Sequence, residues 1–402
     1  MTPDRTETRS EVIRAGFIPL LDAAPLIVAA ERSFARDEGI EIELLRETSW
    51  ATVRDRLAVA HLDAAHILAP LAIADSLGLT PLPVGLVVPM TLGTAGNTIT
   101  VSRAVHADLL RHGAGTSLDP QCGARAIAAL IAERRAAGRT PLSLAIVHAY
   151  SAHHYQLAYW LGWAGVRPGV DVDLVVVPPS LMTAALQSAR IDGFCVGDPW
   201  GSLAESIGVG NIVTTSAQMW KGSPDKVLGV RRTFAEQAPD RTAALVRAVY
   251  RAACWCEEAD NQSELAALLS RSDLIGQPAD VIRMALDRRW LGSEGKGPGR
   301  DGYLAYAANG ATYPRSEDAA WFLAQMVRWG QTRLTASSLQ AARDTYRPDL
   351  YRAALASLVP AGKPSPTPAR SEVLFDGTPF DPTRIAEYVN GFAVRARDAV
   401  SL

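Results

Sequence analysis

Few residues of this chain stand in an arrangement that is typical of catalysis or metal binding. His153 and His154 are adjacent, but neighbouring side chains on a helix point in different directions, and no carboxylate or cysteine pattern completes a site. The segment 295–302 has four glycines but lacks the Lys-Ser/Thr of a phosphate-binding loop. No GxSxG, HExxH or EF-hand pattern occurs. We therefore expect no metal, no cofactor and no enzymatic activity. The cysteines, which match no zinc spacing, are Cys122, Cys195, Cys254 and Cys256.

The overall charge gives no sign of a nucleic-acid or membrane partner. The 402 residues include 40 Lys and Arg and 42 Asp and Glu, which gives a formal net charge of −2. A balanced chain of this kind is not built for phosphate backbones or anionic membranes. The first eleven residues are mostly polar, so they do not resemble a signal peptide, and no apolar run reaches the ~18 residues of a membrane helix. The sequence predicts a cytoplasmic protein that binds neither nucleic acid nor membrane.

The first two-thirds of the chain predicts alternating strands and helices. Repeated βα units imply mostly parallel sheets that carry helices on both faces. The predicted strands, which come from short apolar or alternating runs, are 12–17, 40–44, 64–68, 84–88, 98–101, 144–147, 172–177 and 194–196. The predicted helices are 25–38, 50–59, 71–77, 123–137, 155–163 and 181–189.

One sequence pattern occurs twice and indicates two lobes of related design. Segments 57–64 and 186–193 both read as a helix end, a tight turn through an aspartate, and the start of a buried strand. The aspartates are Asp63 and Asp192. In such sheets ligands bind at the carboxyl ends of strands, near helix N-termini. The sequence therefore predicts a ligand site between two α/β lobes.

After residue 240 the pattern becomes helical, and two segments stand out from it. Helices are predicted over 241–258, 263–270, 279–287, 317–329, 349–358 and 383–394. Segment 292–310, rich in glycine and aromatic residues, is too long for an ordinary connector. We interpret it as a lid or partner-binding loop, or else as a disordered surface loop. Segment 360–369 is rich in proline and predicts a linker or a surface strap.

A set of motifs in fixed order resembles a known family. They are Ser49-Trp50-Ala51-Thr52-Val53-Arg54-Asp55, Asp63 to Pro70, Gly96-Asn97-Thr98-Ile99, Tyr159-Trp160-Leu161, Phe194-Cys195-Val196-Gly197-Asp198-Pro199-Trp200, and Trp220-Lys221 with Pro224-Asp225-Lys226. They resemble the nitrate/bicarbonate branch of the ABC-transporter solute-binding proteins over residues 12–230. Within this branch the chain is most similar to cytoplasmic nitrate sensors of the NasS type.

The resemblance implies an α/β, two-lobed type II periplasmic-binding-protein fold, with the ligand cleft between the lobes and extra C-terminal helices. It places the first part of lobe I at residues 1–100 and lobe II at 101–210. Residues 211–402 are then expected to return to lobe I and to add a C-terminal helical extension.

The same resemblance implies five ligand contacts. They are the indole N–H of Trp50, the amide of Asn97, the imidazole of His153, the backbone N–H of Gly197 and the ammonium group of Lys226. Indole and ammonium groups only donate hydrogen bonds, which suits an anion. A glycine lets its backbone approach a ligand closely.

Two of these assignments have rivals, and a third departs from the family pattern. His154 competes with His153, and Lys221 would replace Lys226 if the alignment contained a small gap. Asn97 stands where transport proteins of this branch usually carry glutamine, so its shorter side chain shifts the site or admits water. Four of the residues also have a purely structural explanation: Trp50 as a core tryptophan, His153 as one of a solvent-exposed pair, Gly197 as part of a strand-to-helix turn and Lys226 as a surface lysine.

The donor set suits nitrate or nitrite. Nitrate is planar, singly charged and has no proton to donate, so it needs donors and a compensating positive charge. Bicarbonate has a hydroxyl that needs an acceptor, and none of the five residues has a carboxylate. Asn97 offers an amide carbonyl, so bicarbonate is disfavoured rather than excluded.

These inferences lead to one principal hypothesis and two alternatives. The principal one, by resemblance to NasS, is a cytoplasmic nitrate/nitrite sensor that sequesters an RNA-binding antiterminator of the NasT type and releases it when the ligand closes the lobes. The first alternative is the substrate-binding component of a nitrate-type ABC transporter. The second is an enzyme of related fold, for instance in thiamine-precursor chemistry, although the sequence shows no catalytic group for it.

Overall fold

The computed structural model describes residues 12–287, 303–358 and 373–396. Within them the strands are β1 (Val12–Phe17), β2 (Glu41–Arg46), β3 (Ala64–Leu68), β4 (Leu86–Thr91), β5 (Thr94–Ala95), β6 (Asn97–Ser102), β7 (Ser143–Ile146), β8 (Asp173–Val176), β9 (Gly193–Gly197), β10 (Gly210–Thr215), β11 (Lys226–Arg231) and β12 (Leu304–Ala305).

The α-helices of the same residues are α1 (Ala24–Glu31), α2 (Phe34–Asp37), α3 (Trp50–Ala58), α4 (Ala69–Ser76), α5 (Arg103–Arg111), α6 (Pro120–Ala136), α7 (Ala152–Trp163), α8 (Met182–Gln187), α9 (Trp200–Ser206), α10 (Ser216–Met219), α11 (Arg232–Gln237), α12 (Pro239–Glu257), α13 (Gln262–Leu269), α14 (Ala279–Asp287), α15 (Ser316–Arg328), α16 (Ala336–Thr345), α17 (Pro348–Leu355) and α18 (Ile385–Asn390). Short 3₁₀ turns lie between some of them.

The strands form two five-stranded sheets, and each sheet is the centre of one lobe. The first has the order β2-β1-β3-β11-β4 and the second β10-β6-β9-β7-β8. In the first, β1 is parallel to β2 and β3, whereas β11 runs antiparallel to both of its neighbours. In the second, β7 is parallel to β8 and β9, whereas β6 runs antiparallel to β9 and β10. The predicted two-lobed type II periplasmic-binding-protein fold is confirmed.

The chain passes twice between the sheets. It leaves the first sheet after β4, enters the second at β6, and returns from β10 to β11. Between β4 and β6, strand β5 pairs with β12, which comes from the C-terminal third of the chain. The helices after β11 pack largely on the first lobe, where α12 lies on α1 and α15 contacts α4. The residue limits that the sequence suggests for each lobe stay a prediction.

The repeated sequence pattern folds into the same turn in both lobes. Ala60 and Ala189 each adopt a positive φ, 58° and 53°, just before the aspartates. Asp63 accepts a hydrogen bond from the Arg14 backbone N–H at 3.0 Å, and Asp192 accepts one from the Ser143 backbone N–H at 2.8 Å. Each aspartate therefore fixes the start of one buried strand against its parallel neighbour.

Several predicted elements differ from the structure. The helix predicted over 25–38 is broken into α1 and α2, since Arg32 adopts an extended conformation. Helices α5, α9, α10, α11 and α16 and strands β10 and β11 were not predicted. Segment 360–369 and most of segment 292–310 lie outside the described residues. The described part, 303–310, is not an exposed loop, because Tyr303 and Tyr306 are buried.

None of the helices in the described parts of the chain is both long and apolar enough to cross a membrane.

Candidate anion site

Trp50 is the first residue of α3 and lies between the lobes. Ser49 caps this helix, because its hydroxyl accepts a hydrogen bond from the Thr52 backbone N–H at 3.2 Å. The Trp50 side chain is 1% exposed, and its ring packs against the imidazole of His66 with 5.2 Å between ring centroids. Its indole Nε1 has no hydrogen-bond partner among the described residues.

Lys226 is the first residue of β11 and is completely enclosed. Its ammonium group donates to Asp22 Oδ2 at 2.8 Å and to Asp225 Oδ2 at 2.6 Å. The same nitrogen lies 3.3 Å from Nε2 of His153 and 5.9 Å from the centre of the Trp50 ring. Lys226 is therefore the centre of a buried polar cluster, which we call the lysine cluster.

His153 lies in the first turn of α7, and its hydrogen bond to Lys226 fixes its tautomer. An ammonium group can only donate, so Nε2 of His153 must accept and the ring proton must lie on Nδ1. Nδ1 has no partner among the described residues. Burial and the charge of Lys226 lower the pKa of His153 well below its usual value, so the ring is neutral. His154 lies outside the cluster, with its Nδ1 2.7 Å from the Ala149 carbonyl.

Asn97 and Gly197 are paired residues on neighbouring strands β6 and β9. Asn97 Nδ2 donates to Gln156 Oε1 at 2.9 Å, and the Asn97 amide lies close enough to Asp225 to oppose part of the rise that burial causes in the pKa of that carboxyl. A Cβ atom on Gly197 would lie 3.3 Å from Asn97 Oδ1 and 3.4 Å from Asp22 Oδ2. The absence of a side chain at Gly197 thus leaves this approach to the cluster open.

The structure brings all five predicted residues together, while their contact with a ligand stays a prediction. Trp50, His153 and Lys226 meet directly, and Asn97 and Gly197 join them through the two carboxylates. Lys221, the alternative lysine, is exposed and lines a different cavity.

Four residues of the cluster were not identified from the sequence: Asp22, His66, Gln156 and Asp225. Asp22 follows the carboxyl end of β1, which is where ligand-site residues of parallel sheets concentrate, and Asp225 precedes Lys226 in sequence. The positions of Asp22 and Asp225 could therefore have identified them as candidate site residues from the sequence. His66, in the middle of β3, lies inside the motif from Asp63 to Pro70, but nothing in that motif marks it as a site residue, because its role depends on the pairing of β1 with β3.

The hydrogen bonds of His66 also fix its tautomer. Its Nδ1 accepts from the Ile18 backbone N–H at 3.4 Å, so Nε2 carries the proton and donates to Asp22 Oδ1 at 2.8 Å. Burial lowers the pKa of His66, although Asp22 opposes this effect. His66 therefore acts as a neutral donor to Asp22.

The two carboxylates respond differently to the same lysine. Burial alone would raise the pKa of Asp22, but Lys226 and His66 together lower it well below its usual value. Burial and the neighbouring Asp22 raise the pKa of Asp225 to about 6, although Lys226 opposes them. For Lys226, burial would lower the pKa, but the two carboxylates raise it above its usual value. At pH 7 the cluster thus holds one positive and nearly two negative charges.

The excess negative charge of the lysine cluster differs from the expectation that the site would offer a free positive charge. Lys226 was expected to compensate an anion, but it is already paired with Asp22 and Asp225. Bicarbonate is also no longer disfavoured, because the carboxylates of Asp22 and Asp225 supply acceptors for its hydroxyl. What the cluster offers to a ligand is therefore better judged from its unpartnered atoms than from its net charge.

Donors and acceptors in this region have no hydrogen-bond partner among the described residues. The donors are Trp50 Nε1, His153 Nδ1 and Gln156 Nε2, and the acceptors are Asn97 Oδ1 and Asp225 Oδ1. Buried polar groups are nearly always hydrogen-bonded, so such a concentration calls for a ligand or water. Trp50 and His153 both lie against Lys226, and Gln156 is hydrogen-bonded to Asn97, so the three donors belong to residues of one buried region, which suits a small oxyanion. No group of three or more His, Cys, Asp or Glu in the described chain is arranged to hold a metal ion.

Comparisons with known proteins agree on one family. The model of the NMT1-like family matches residues 6–270. The chain is 32% identical over 410 residues to the nitrate/nitrite binding protein NrtA of Synechocystis sp., covering 97% of this chain and 87% of that protein. Identity to NrtA of Synechococcus elongatus is 30% over 401 residues, covering 96% and 86%. The crystal structure of the periplasmic nitrate-binding protein NrtA from Synechocystis matches with a TM-score of 0.85 and 29% identity, covering 96% of this chain and 99% of that one.

Proposed function

This chain belongs to the NMT1-like family, among the NrtA-like solute-binding proteins, and from that premise we propose that it binds nitrate or nitrite between its lobes. The observation that carries the proposal is a set of three buried donors without partners among the described residues, on side chains in and beside the lysine cluster, namely Trp50 Nε1, His153 Nδ1 and Gln156 Nε2. An oxyanion among them would satisfy each donor, which otherwise costs about 1–3 kcal/mol when buried.

Ligand binding would couple the two lobes. Trp50 and Lys226 belong to the first lobe, whereas Asn97, His153 and Gly197 belong to the second. An anion that contacts both sets stabilises the closed arrangement relative to an open one, by as much as its affinities for the two states differ. Closure of this kind changes the outer surface of both lobes and can therefore report the ligand to a partner.

We further propose that the chain is a cytoplasmic sensor rather than a transport component. In this proposal the open form holds an RNA-binding antitermination regulator of the NasT type, and the closed form releases it. The support is the similarity of the chain as a whole to sensors of the NasS type within the nitrate/bicarbonate branch, together with a site that spans both lobes.

Calorimetric titration tests the ligand. The protein is first unfolded and refolded in anion-free buffer, and is then titrated separately with nitrate, nitrite and hydrogencarbonate. We expect heat and a single site for nitrate or nitrite. Hydrogencarbonate is the informative competitor, since Asn97 Oδ1 and Asp225 Oδ1 could accept its hydroxyl. Tighter binding of hydrogencarbonate than of both nitrogen oxyanions would contradict the proposal.

Co-purification tests the partner. The tagged chain is mixed with a purified NasT-type regulator, with and without nitrate. We expect retention without nitrate and release with it, and no release from a Trp50→Phe variant at the same nitrate concentration. Retention that is unaffected by nitrate, or no retention in either condition, would contradict the sensor role and leave the transport component as the better explanation. Recovery of the native protein from the cytoplasmic fraction tests the location.

A further inference from the structure

The charge of the lysine cluster poses a problem for anion binding. Among the described residues of the cluster, Lys226 is the one cation, and its ammonium group lies 2.8 Å from Asp22 Oδ2 and 2.6 Å from Asp225 Oδ2. With both carboxylates ionised, a bound monovalent anion would bring the buried cluster from one excess negative charge to two. Uncompensated charge in a buried site costs several kcal/mol. A proton taken up together with the anion would remove this cost.

The two histidines of the cluster are poorly placed to take up that proton. Nε2 of His153 accepts from the ammonium group of Lys226, so a proton there would place two donors face to face. Nδ1 of His66 accepts from the Ile18 backbone N–H, and a proton there would produce the same conflict. Both rings therefore stay neutral while the surrounding hydrogen bonds are intact.

The two carboxylates differ in how many of their oxygens are engaged. Asp22 accepts from His66 at Oδ1 and from Lys226 at Oδ2, so each of its oxygens has a donor. Asp225 accepts from Lys226 at Oδ2, whereas its Oδ1 has no partner among the described residues. Asp225 Oδ1 is therefore the acceptor in the cluster that is best placed to receive a proton.

We propose that Asp225 takes up one proton when the oxyanion binds, so that the site binds an anion and a proton as a pair. This inference rests on the proposed function. Protonation converts the Asp225 carboxylate into a neutral group with an O–H donor. The net charge of the buried cluster is then the same before and after binding.

The surroundings of Asp225 support uptake near neutral pH. The charged or titratable groups that face Asp225 are Lys226, Asp22 and Cys195. Burial raises the pKa of Asp225 to about 6, and a nearby anion would raise it further. Burial and Asp225 also raise the pKa of Cys195, so this thiol stays neutral.

The first test counts protons in the wild-type protein. Nitrate is titrated calorimetrically from pH 6 to 9 at constant ionic strength, in buffer pairs with different ionisation enthalpies. Nitrate itself does not titrate in this range. Above pH 7 we expect the Kd to rise about tenfold per pH unit until the bound-state pKa is reached, with about one proton taken up per nitrate. A Kd that is independent of pH, with no proton uptake, would overturn the inference, whereas no nitrate binding at any pH would overturn the proposed function instead.

The second test assigns the proton to Asp225. Asp225→Asn keeps an oxygen for Lys226 but cannot titrate, so its Kd should be independent of pH and no weaker than that of the wild type at pH 8.5. Glu205→Gln is the matched control, since Glu205 has a pKa raised to about 7 by burial but lies outside the cluster. We expect it to keep the wild-type pH dependence. A wild-type slope in Asp225→Asn would place the proton elsewhere. If circular dichroism shows that this variant does not fold, the proton count of the wild type decides.

Discussion

At the scale of single residues, two buried tryptophans show how a ligand site differs from a core. Trp160 Nε1 donates to the Pro120 carbonyl at 2.8 Å, which satisfies it within its own lobe. Trp50 is equally buried, but its Nε1 has no partner among the described residues. A buried donor that is left unpaired costs about 1–3 kcal/mol. No described residue accepts a hydrogen bond from the indole nitrogen of Trp50, whereas a bound anion would accept one.

Replacing each tryptophan with phenylalanine separates these roles. Trp50→Phe should weaken nitrate binding about 10- to 100-fold, because a hydrogen bond to a charged group contributes about 1.5–3 kcal/mol. Trp50→Phe should lose less stability than Trp160→Phe, because both variants lose the same ring volume but only Trp50→Phe removes a donor that has no partner. Trp160→Phe should lose about 1 kcal/mol of unfolding free energy and keep its Kd within about twofold. Calorimetry measures the Kd for nitrate and urea unfolding measures the free energy of unfolding of each variant. Equal nitrate affinity in Trp50→Phe and the wild type would exclude the indole as a contact.

The residues of the lysine cluster also show what a sequence can and cannot reveal about a site. The family resemblance pointed to Trp50 and Lys226, which lie in short family motifs, and to His153, which stands at the start of the helix that leads into Tyr159-Trp160-Leu161. Asp22 escaped notice because its partners are distant, 44 residues away at His66 and 204 at Lys226. A sequence indicates which groups can donate, but their net charge depends on pairs that only the fold creates.

At the scale of elements, the junction of α9 with β10 contains a buried acid. Glu205 accepts a hydrogen bond from the Ile212 backbone N–H at 2.7 Å. Burial, with a smaller contribution from Asp198, raises the pKa of Glu205 from its usual value near 4.5 to about 7. Between these two values the folded protein holds a proton that the unfolded chain releases. The unfolding free energy therefore falls as the pH rises from 4.5 to 7 and then levels off.

Glu205→Gln should remove this decline while keeping an acceptor for the Ile212 N–H. We expect the variant to match the wild type near pH 4.5 and to exceed it by about 1–2 kcal/mol above pH 7, allowing for partial exposure. Urea unfolding at pH 5 and pH 8 measures the difference. Glu43→Gln, at an exposed position on β2, is the control and should show no such change. A stability difference for Glu205→Gln that does not grow with pH would contradict this explanation.

The passage between the lobes depends on a glycine that faces the backbone of the β12 segment. Gly93 has φ +118°, and a Cβ there would lie 2.6 Å from the Ala305 carbonyl oxygen. Gly113 also has a positive φ, +84°, but no atom lies within 4 Å of its Cβ position. We expect Gly113→Ala to lose about 1 kcal/mol of unfolding free energy from backbone strain alone, and Gly93→Ala about 2–4 kcal/mol. Chemical unfolding measures the free energy of unfolding of both variants. Equal losses would show that the backbone of the β12 segment moves to accommodate the new Cβ at little cost.

The elements themselves were predictable to different degrees. Strands such as β1 and β3 were found because they are short apolar runs that end in recognisable turns. Strand β11, which carries Lys226, was missed because the sequence before it, from Trp220 to Asp225, resembles a loop. It lies between β3 and β4 and runs antiparallel to both. Its position depends on the return of the chain from the second lobe, and local periodicity contains no information on that return.

At the scale of the whole molecule, α7 links the lysine cluster to the C-terminal extension. His153 lies in its first turn, and further along Tyr155 donates to Gln331 at 2.6 Å and Tyr159 donates to Asp376 at 2.9 Å. Both partners belong to the C-terminal part of the chain, which packs on the first lobe through α15 and α4. A movement of the second lobe would therefore strain contacts far from the ligand. Through these contacts of α7, ligand binding between the lobes would change the structure of an outer surface.

Hydrogen exchange should reveal whether the anion closes the molecule or only fills a site. With saturating nitrate we expect slower amide exchange at the start of α3, at the start of α7, and in both passages between the lobes, residues 92–96 and 216–225, because closure protects the backbone of both lobes at once. Helix α13, which packs on α14, should exchange at an unchanged rate. Trp50→Phe at the same nitrate concentration should show little of this protection. If protection is confined to α3 and β11, the anion binds one lobe without closing the other, and a ligand-driven change of the outer surface is excluded.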